Sequence, residues 1–195
     1  FDHTARIFRF EGAAQTIKPG NNRFNEVYFA NSGTLTVEDA GFNIRQNITI
    51  SGTGNVNFGS LTHNIGSNNI YIIGSGGWNV SNSNLIFDRN GDQYIPGISA
   101  RNVSFTTGGN KYLLDSISVE DLYVGTNVNF RSTEDPNFPY NISVRGNWTV
   151  EGNFTPYTNT VYFESPNSDP KTILSGGRSF YNVVFNSVYT NNRIY

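Results

Sequence analysis

Few side chains in this chain could do chemistry, and none stands in a spacing that a reaction requires. There are two histidines, His3 and His63, and no cysteine. A zinc site takes three or four N, S or O ligands, and a nucleophilic triad needs a placed base. His63 stands in Leu61-Thr62-His63-Asn64-Ile65, a strand-like alternation that reads as a solvent-facing imidazole. Asp88-Arg89-Asn90-Gly91-Asp92 puts oxygen ligands at alternate positions, as the start of a calcium loop does. Its glycine is misplaced, however, and the twelfth position is Ser99 rather than an acid, so a plain turn is the simpler reading. Calcium near Asp88 and Asp92 is left open. Gly74-Ser75-Gly76-Gly77 is glycine-rich, but a Trp strand follows it rather than Lys-Ser/Thr and a helix, so it is no phosphate cradle. The pairs Glu38-Asp39, Glu120-Asp121 and Glu134-Asp135 are chain neighbours, and neighbours on a strand face opposite sides. No single pair makes an acid/base couple, although couples drawn from different coils stay open. The lysines Lys18, Lys111 and Lys171 form no cluster. No catalytic, cofactor-binding or metal-ligating residue is assigned.

The elements that would position such groups are short strands in a repeating order. Gln15-Thr16-Ile17 returns as Gln93-Tyr94-Ile95 and as Lys171-Thr172-Ile173. Each phrase is followed by a turn of small residues and then by a V-x-F strand: Val27-Tyr28-Phe29, Val103-Ser104-Phe105, Val183-Val184-Phe185. Asn55-Val56-Asn57-Phe58 matches Asn127-Val128-Asn129-Phe130, and Gly77-Trp78-Asn79-Val80 matches Gly146-Asn147-Trp148-Thr149-Val150. Repetition in a fixed order points to stacked units rather than one closed globule. No helix is predicted. The apolar triplets are rich in Val, Ile, Phe and Tyr, alternate with polar residues, and are separated by Asn, Gly, Ser and Asp.

We therefore expect an all-β fold: a right-handed parallel β-helix, or β-solenoid, with about three coils of about 25 residues in each repeat of roughly 70–80 residues. The repeats run approximately over 7–84, 85–160 and, in part, 161–195 of a single solenoid segment, residues 1–195. Phe29, Phe58, Trp78, Phe105, Phe130, Trp148, Phe163 and Phe185 are the expected core. Phe29, Phe105 and Phe185 should be equivalent, three coils apart, and Trp78 and Trp148 should both face inward. The 29 asparagines either stack as ladders from coil to coil or fill turns singly.

Composition narrows the function. Charged residues are 14% of the chain and the formal net charge is −2, with no basic face for nucleic acid and no polybasic membrane patch. No apolar run reaches the ~18 residues of a transmembrane helix, and no signal peptide stands at the start. The Asn-x-Ser/Thr sequons, such as those at Asn47 and Asn147, are no more frequent than this composition gives by chance. Thr34-Leu35-Thr36 is not repeated coil after coil, as an ice-binding face would need. The chain begins shortly before one Q-T-I phrase and stops shortly after the third related phrase, so the expected setting is a longer array.

One segment resembles a known family. Gly146-Asn147-Trp148-Thr149-Val150-Glu151-Gly152-Asn153-Phe154, Thr160-Val161-Tyr162-Phe163, Lys171-Thr172-Ile173-Leu174-Ser175-Gly176-Gly177 and Phe180-Tyr181-Asn182-Val183-Val184-Phe185 follow one another in order. This resembles the repeats of very large surface and adhesin-like proteins of gliding, Bacteroidetes-type bacteria. The middle copy departs from the pattern, with Ala100-Arg101-Asn102 in place of the F-Y-N phrase. The resemblance implies export, a place on the cell surface and a structural role, and it supplies no catalytic residues. Asp115-Ser116-Ile117 is similar to the short O-glycosylation signal of that bacterial group. The expected function is a non-enzymatic extracellular rod or adhesin module. Its partners would be neighbouring repeats or domains of the same longer chain, and surface glycans or other cell-surface proteins. The alternative is a β-helical carbohydrate-binding domain or a polysaccharide lyase or glycoside hydrolase.

Overall fold

The computed structural model describes residues 7–135, 137–138 and 140–187. It is all-β, with no helix among the described residues, and its parallel strands stack as a β-solenoid. Two compact units divide at Arg89 and Asn90.

The first unit holds β1 (Ile7–Gly12), β2 (Gln15–Ile17), β3 (Arg23–Asn31), β4 (Leu35–Val37), β5 (Asn43–Ile50), β6 (Val56–Asn57), β7 (Thr62–Ile65), β8 (Asn69–Ile72), β9 (Trp78–Asn79) and β10 (Asn84–Phe87). β2, β4, β6 and β9 form one parallel face, with Gln15, Leu35, Val56 and Trp78 in one column. β1, β3 and β5 stack beside it. β5 spans two faces, because Asn43 and Ile44 lie on Asn64 and Ile65 of β7, whereas Asn47–Ile50 lie on Asn69–Ile72 of β8. The register of β3 on β5 shifts between Phe24 and Glu26. Alternation sends Val27, Phe29, Leu35, Ile48 and Val56 inward, all fully buried. The Phe42 ring packs against Phe29 at 5.8 Å and Phe58 at 5.9 Å. Burying each such ring contributes about 1.5–3 kcal/mol.

The glycine-rich turns of this unit exist for close approach. A Cβ on Gly54 would lie 2.0 Å from the Gly33 carbonyl oxygen, and one on Gly76 would lie 2.1 Å from that of Gly54. Gly74 and Gly76 are thus stacking requirements, since each rests its backbone on the turn below.

The second unit holds β11 (Gln93–Ile95), β12 (Ile98–Phe105), β13 (Gly109–Leu113), β14 (Ile117–Val124), β15 (Val128–Arg131), β16 (Ile142–Val144), β17 (Trp148–Val150), β18 (Asn153–Thr155), β19 (Thr160–Ser165), β20 (Ile173–Leu174) and β21 (Asn182–Ser187). β11, β13, β15 and β18 make one face. β12 and β14 each cover two faces. Their first halves continue through β16, β19 and β21, and the second half of β14 continues through β17 and β20. The step from coil to coil varies. Gln93 lies over Lys111 and Lys111 over Phe130, eighteen and nineteen residues on, but Phe130 lies over Phe154, twenty-four on. The extra residues fall between the end of β15 at Arg131 and the start of β16 at Ile142.

Six of the expected core residues, Phe29, Phe58, Phe105, Phe130, Trp148 and Phe163, are buried. Two need correction. Trp78 points inward, edge-on to Phe58 at 5.8 Å, but is only half-buried. Phe185 stacks on Phe163 at 5.4 Å yet is 54% exposed, since β21 is the last described strand and no described coil covers its far side. The expected equivalence of the V-x-F strands also fails within the second unit. Phe105 shares a column with Val124 and Val150, whereas Phe185 shares one with Phe163, Val144, Val119 and Ala100. Coils of unequal length let similar phrases fall on different faces.

Candidate functional site

The exterior of the β11–β13–β15–β18 face carries a connected set of polar and aromatic groups. Alternation turns Gln93, Lys111, Phe130 and Phe154 inward, so the residues between them look out in two columns. One column is polar. Asn129 Nδ2 donates to Asn110 Oδ1 at 2.7 Å, Asn110 Nδ2 donates to Asp92 Oδ1 at 2.9 Å, and Asn153 lies next in register. The other column runs Tyr94, Tyr112, Arg131, Thr155. The two tyrosine rings stack at 5.2 Å with planes 14° apart, and the Arg131 guanidinium carbon lies 5.6 Å from the Tyr112 centroid.

Two irregular segments border these columns. In the long loop, Glu134 accepts a hydrogen bond from the Tyr94 hydroxyl at 3.3 Å, and Phe138 is 62% exposed. Asp135 does not couple to Glu134; its carboxylate accepts from the Asn137 backbone at 2.9 Å within the loop. Just past the end of β18, Tyr157, held at φ 50, accepts a hydrogen bond from Arg131 Nη1 at 3.1 Å. That left-handed backbone is uncommon for a bulky residue and marks a constrained position. The Tyr94 phenol is raised by burial and then by Glu134, and the Tyr112 phenol by burial and then by Asp92, so both stay protonated at neutral pH. Asp92, Arg131 and Glu134 all act electrostatically on Tyr112. No ion pair to Arg131 is seen among the described residues.

The other candidates disperse. His63 is fully buried rather than solvent-facing. Its Nδ1 accepts from the Phe42 N–H at 3.0 Å and its Nε2 lies 3.0 Å from the Phe58 carbonyl oxygen, so the Nε2–H tautomer satisfies both. Burial lowers its pKa to about 4. The signal was present in the sequence: His63 alternates in step with Leu61 and Ile65. Lys111, likewise in step with Leu113, is also fully buried, and its Nζ donates to the Gly91 carbonyl at 3.0 Å.

Asp88 faces Arg45 at 3.4 Å within the first unit, and Asp92 binds Asn110 within the second. Among the described residues no three His, Cys, Asp or Glu side chains are grouped to hold a metal. Glu120 pairs with Arg101, and Asp121 instead binds Asn147, so these two acids serve different partners. Ser116 is exposed and its Oγ accepts from the Asn141 N–H at 3.0 Å.

The fold defines a parallel β-solenoid whose turns are tied by side chains. No protein-family model, curated protein or solved structure matches the chain.

Proposed function

We propose that this chain is a non-enzymatic structural module that builds an extended rod on a bacterial cell surface, stacking on neighbouring repeats of a longer chain. The observation that carries this reading is the way each coil is bonded to the next at its turns. The side chain of Asn55 accepts the Gly77 N–H, that of Asp121 the Asn147 N–H, that of Asn147 the Thr172 N–H, and that of Asn141 the Thr160 N–H, at 2.6–3.1 Å. Asparagine is spent on holding coils together, and in the interior aromatic rings pack on one another: Trp148 lies against Phe154, Phe163 and Phe180 at 5.1–5.9 Å. Such nearest-neighbour stacking lets stability grow with repeat number. Placement outside the cell rests on the resemblance of the Gly146–Phe185 segment to surface-protein repeats.

The test is to measure proteins with one, two and three tandem copies of the chain by small-angle X-ray scattering and thermal melting. A rod module lengthens in proportion to copy number and melts higher with each copy. Copies that collapse into a compact particle, or melt independently, would overturn the rod. Labelling intact producing cells with antibodies to the chain separately tests the surface location.

A further inference from the structure

We infer that the outer face of β11, β13, β15 and β18 is a binding site for an uncharged polysaccharide, lying along the stacking direction beside the two outward columns. This goes beyond the rod reading, which stands whether or not the site is real.

Three observations carry it. First, the polar column offers amide donors and acceptors at the coil spacing of about 4.8 Å, close to the length of one pyranose ring along a chain. Asn110 and Asn129 are bonded along the column, and Asn153 extends it as an exposed amide. Second, hydrogen-bonding groups of opposite sense gather at the neighbouring Tyr–Arg column: the Arg131 guanidinium donates, the Glu134 carboxylate accepts, and the Tyr157 phenol does either. A row of sugar hydroxyls, each both donor and acceptor, matches such a mixture. Third, the coil is lengthened at this point alone of the β11–β18 face, and the inserted loop carries Phe138 outward. Phe138 stands four residues from Glu134, which is bonded to Tyr94, and an exposed ring there suits the apolar face of a sugar.

Charge selects the class. Asp92 and Glu134 outnumber Arg131, so a polyanion meets net repulsion. The Tyr94 and Tyr112 rings are stacked on each other, and the far face of Tyr112 is taken by Arg131. Recognition therefore runs through their edges, the amide column and Phe138, rather than through sugar stacking on the tyrosines.

Affinity electrophoresis of the whole chain through gels containing soluble β-glucan, galactomannan or arabinoxylan, with alginate and pectate as charged comparators, tests this. Retardation by at least one uncharged polymer is expected, with about tenfold weaker binding for Phe138→Ala and for Glu134→Gln, a difference of about 1.4 kcal/mol. Both side chains lie in the inserted loop, outside every strand, so an unchanged melting temperature shows that the fold is kept. Arg131→Ala should weaken binding as well. Retardation by none of the uncharged polymers, retardation by the acidic ones only, or undiminished binding by folded Phe138→Ala and Glu134→Gln proteins would each overturn the site.

Discussion

The backbone N–H of Phe42 donates to Nδ1 of His63 on the next coil at 3.0 Å, so a buried imidazole caps a strand in place of a backbone carbonyl. Protonating Nδ1 would replace that acceptor with a donor facing a donor. The folded pKa is lowered to about 4 from 6.5, chiefly by burial, so between those values the unfolded chain binds the proton and the folded chain does not. The contribution is therefore complete above pH 6.5 and is lost as pH falls towards 4. The loss is about 3 kcal/mol at most. Urea unfolding across this range should show it, and His63→Leu should flatten the slope between pH 6.5 and 4. An equal slope in both proteins would assign the effect to other groups.

Trp148 is enclosed by aromatic rings, yet its indole N–H has no acceptor among the described residues. Trp148→Ala should cost about 3–5 kcal/mol through the cavity left behind. Trp148→Phe removes the unsatisfied donor along with some volume, so it should cost distinctly less. Trp78→Ala, at a half-buried position, should also cost less than Trp148→Ala. Denaturant midpoints of the three variants check the order.

Asn147 bonds in both directions, since its Nδ2 donates to Asp121 at 3.0 Å and its Oδ1 accepts the Thr172 N–H at 3.0 Å. Asn147→Ala should lose about 1–2 kcal/mol. Asn147→Asp keeps an acceptor for Thr172 but sets a carboxylate against Asp121. Its deficit should be larger at neutral pH and shrink as pH falls through the carboxylate range. Melting temperatures at pH 7 and pH 4, each relative to the parent, measure it.

Gly54 and Gly77 make a matched pair of probes. A methyl on Gly54 meets the Gly33 carbonyl oxygen at 2.0 Å, whereas the nearest atom to one on Gly77 is the Asn55 side-chain oxygen at 3.6 Å. Gly54→Ala should destabilise by about 3 kcal/mol or more, and Gly77→Ala should stay within about 1 kcal/mol of the parent. Thermal melts of the two proteins decide it.

Strand content and facing were legible because period-two alternation is local. Leu35-Thr36-Val37 and Ile117-Ser118-Val119 read as buried, half-exposed, buried, and are so. The same alternation places His63 and Lys111 inward; reading His63 as solvent-facing pointed the wrong way, because backbone groups inside the solenoid bond both side chains. The Tyr94, Tyr112 and Arg131 column was not legible. Its members stand eighteen and nineteen residues apart, and only the coil length, set by the turns between them, brings them into register. Asparagine's role was half legible: its abundance suggested ladders, but which residues stack follows from that same register.

One set of side-chain bonds to backbone N–H groups across the turns of the second unit shares a direction. Asp92 accepts from Asn110, Ser116 from Asn141, Asn141 from Thr160, and Asp121 from Asn147, which in turn accepts from Thr172. In each case the earlier coil holds the acceptor and the later coil brings the backbone donor. A coil already wound is thus a template for the one that follows it. At these turns, winding from the amino end brings each new donor to an acceptor already in place, whereas the Phe42 N–H must wait for His63.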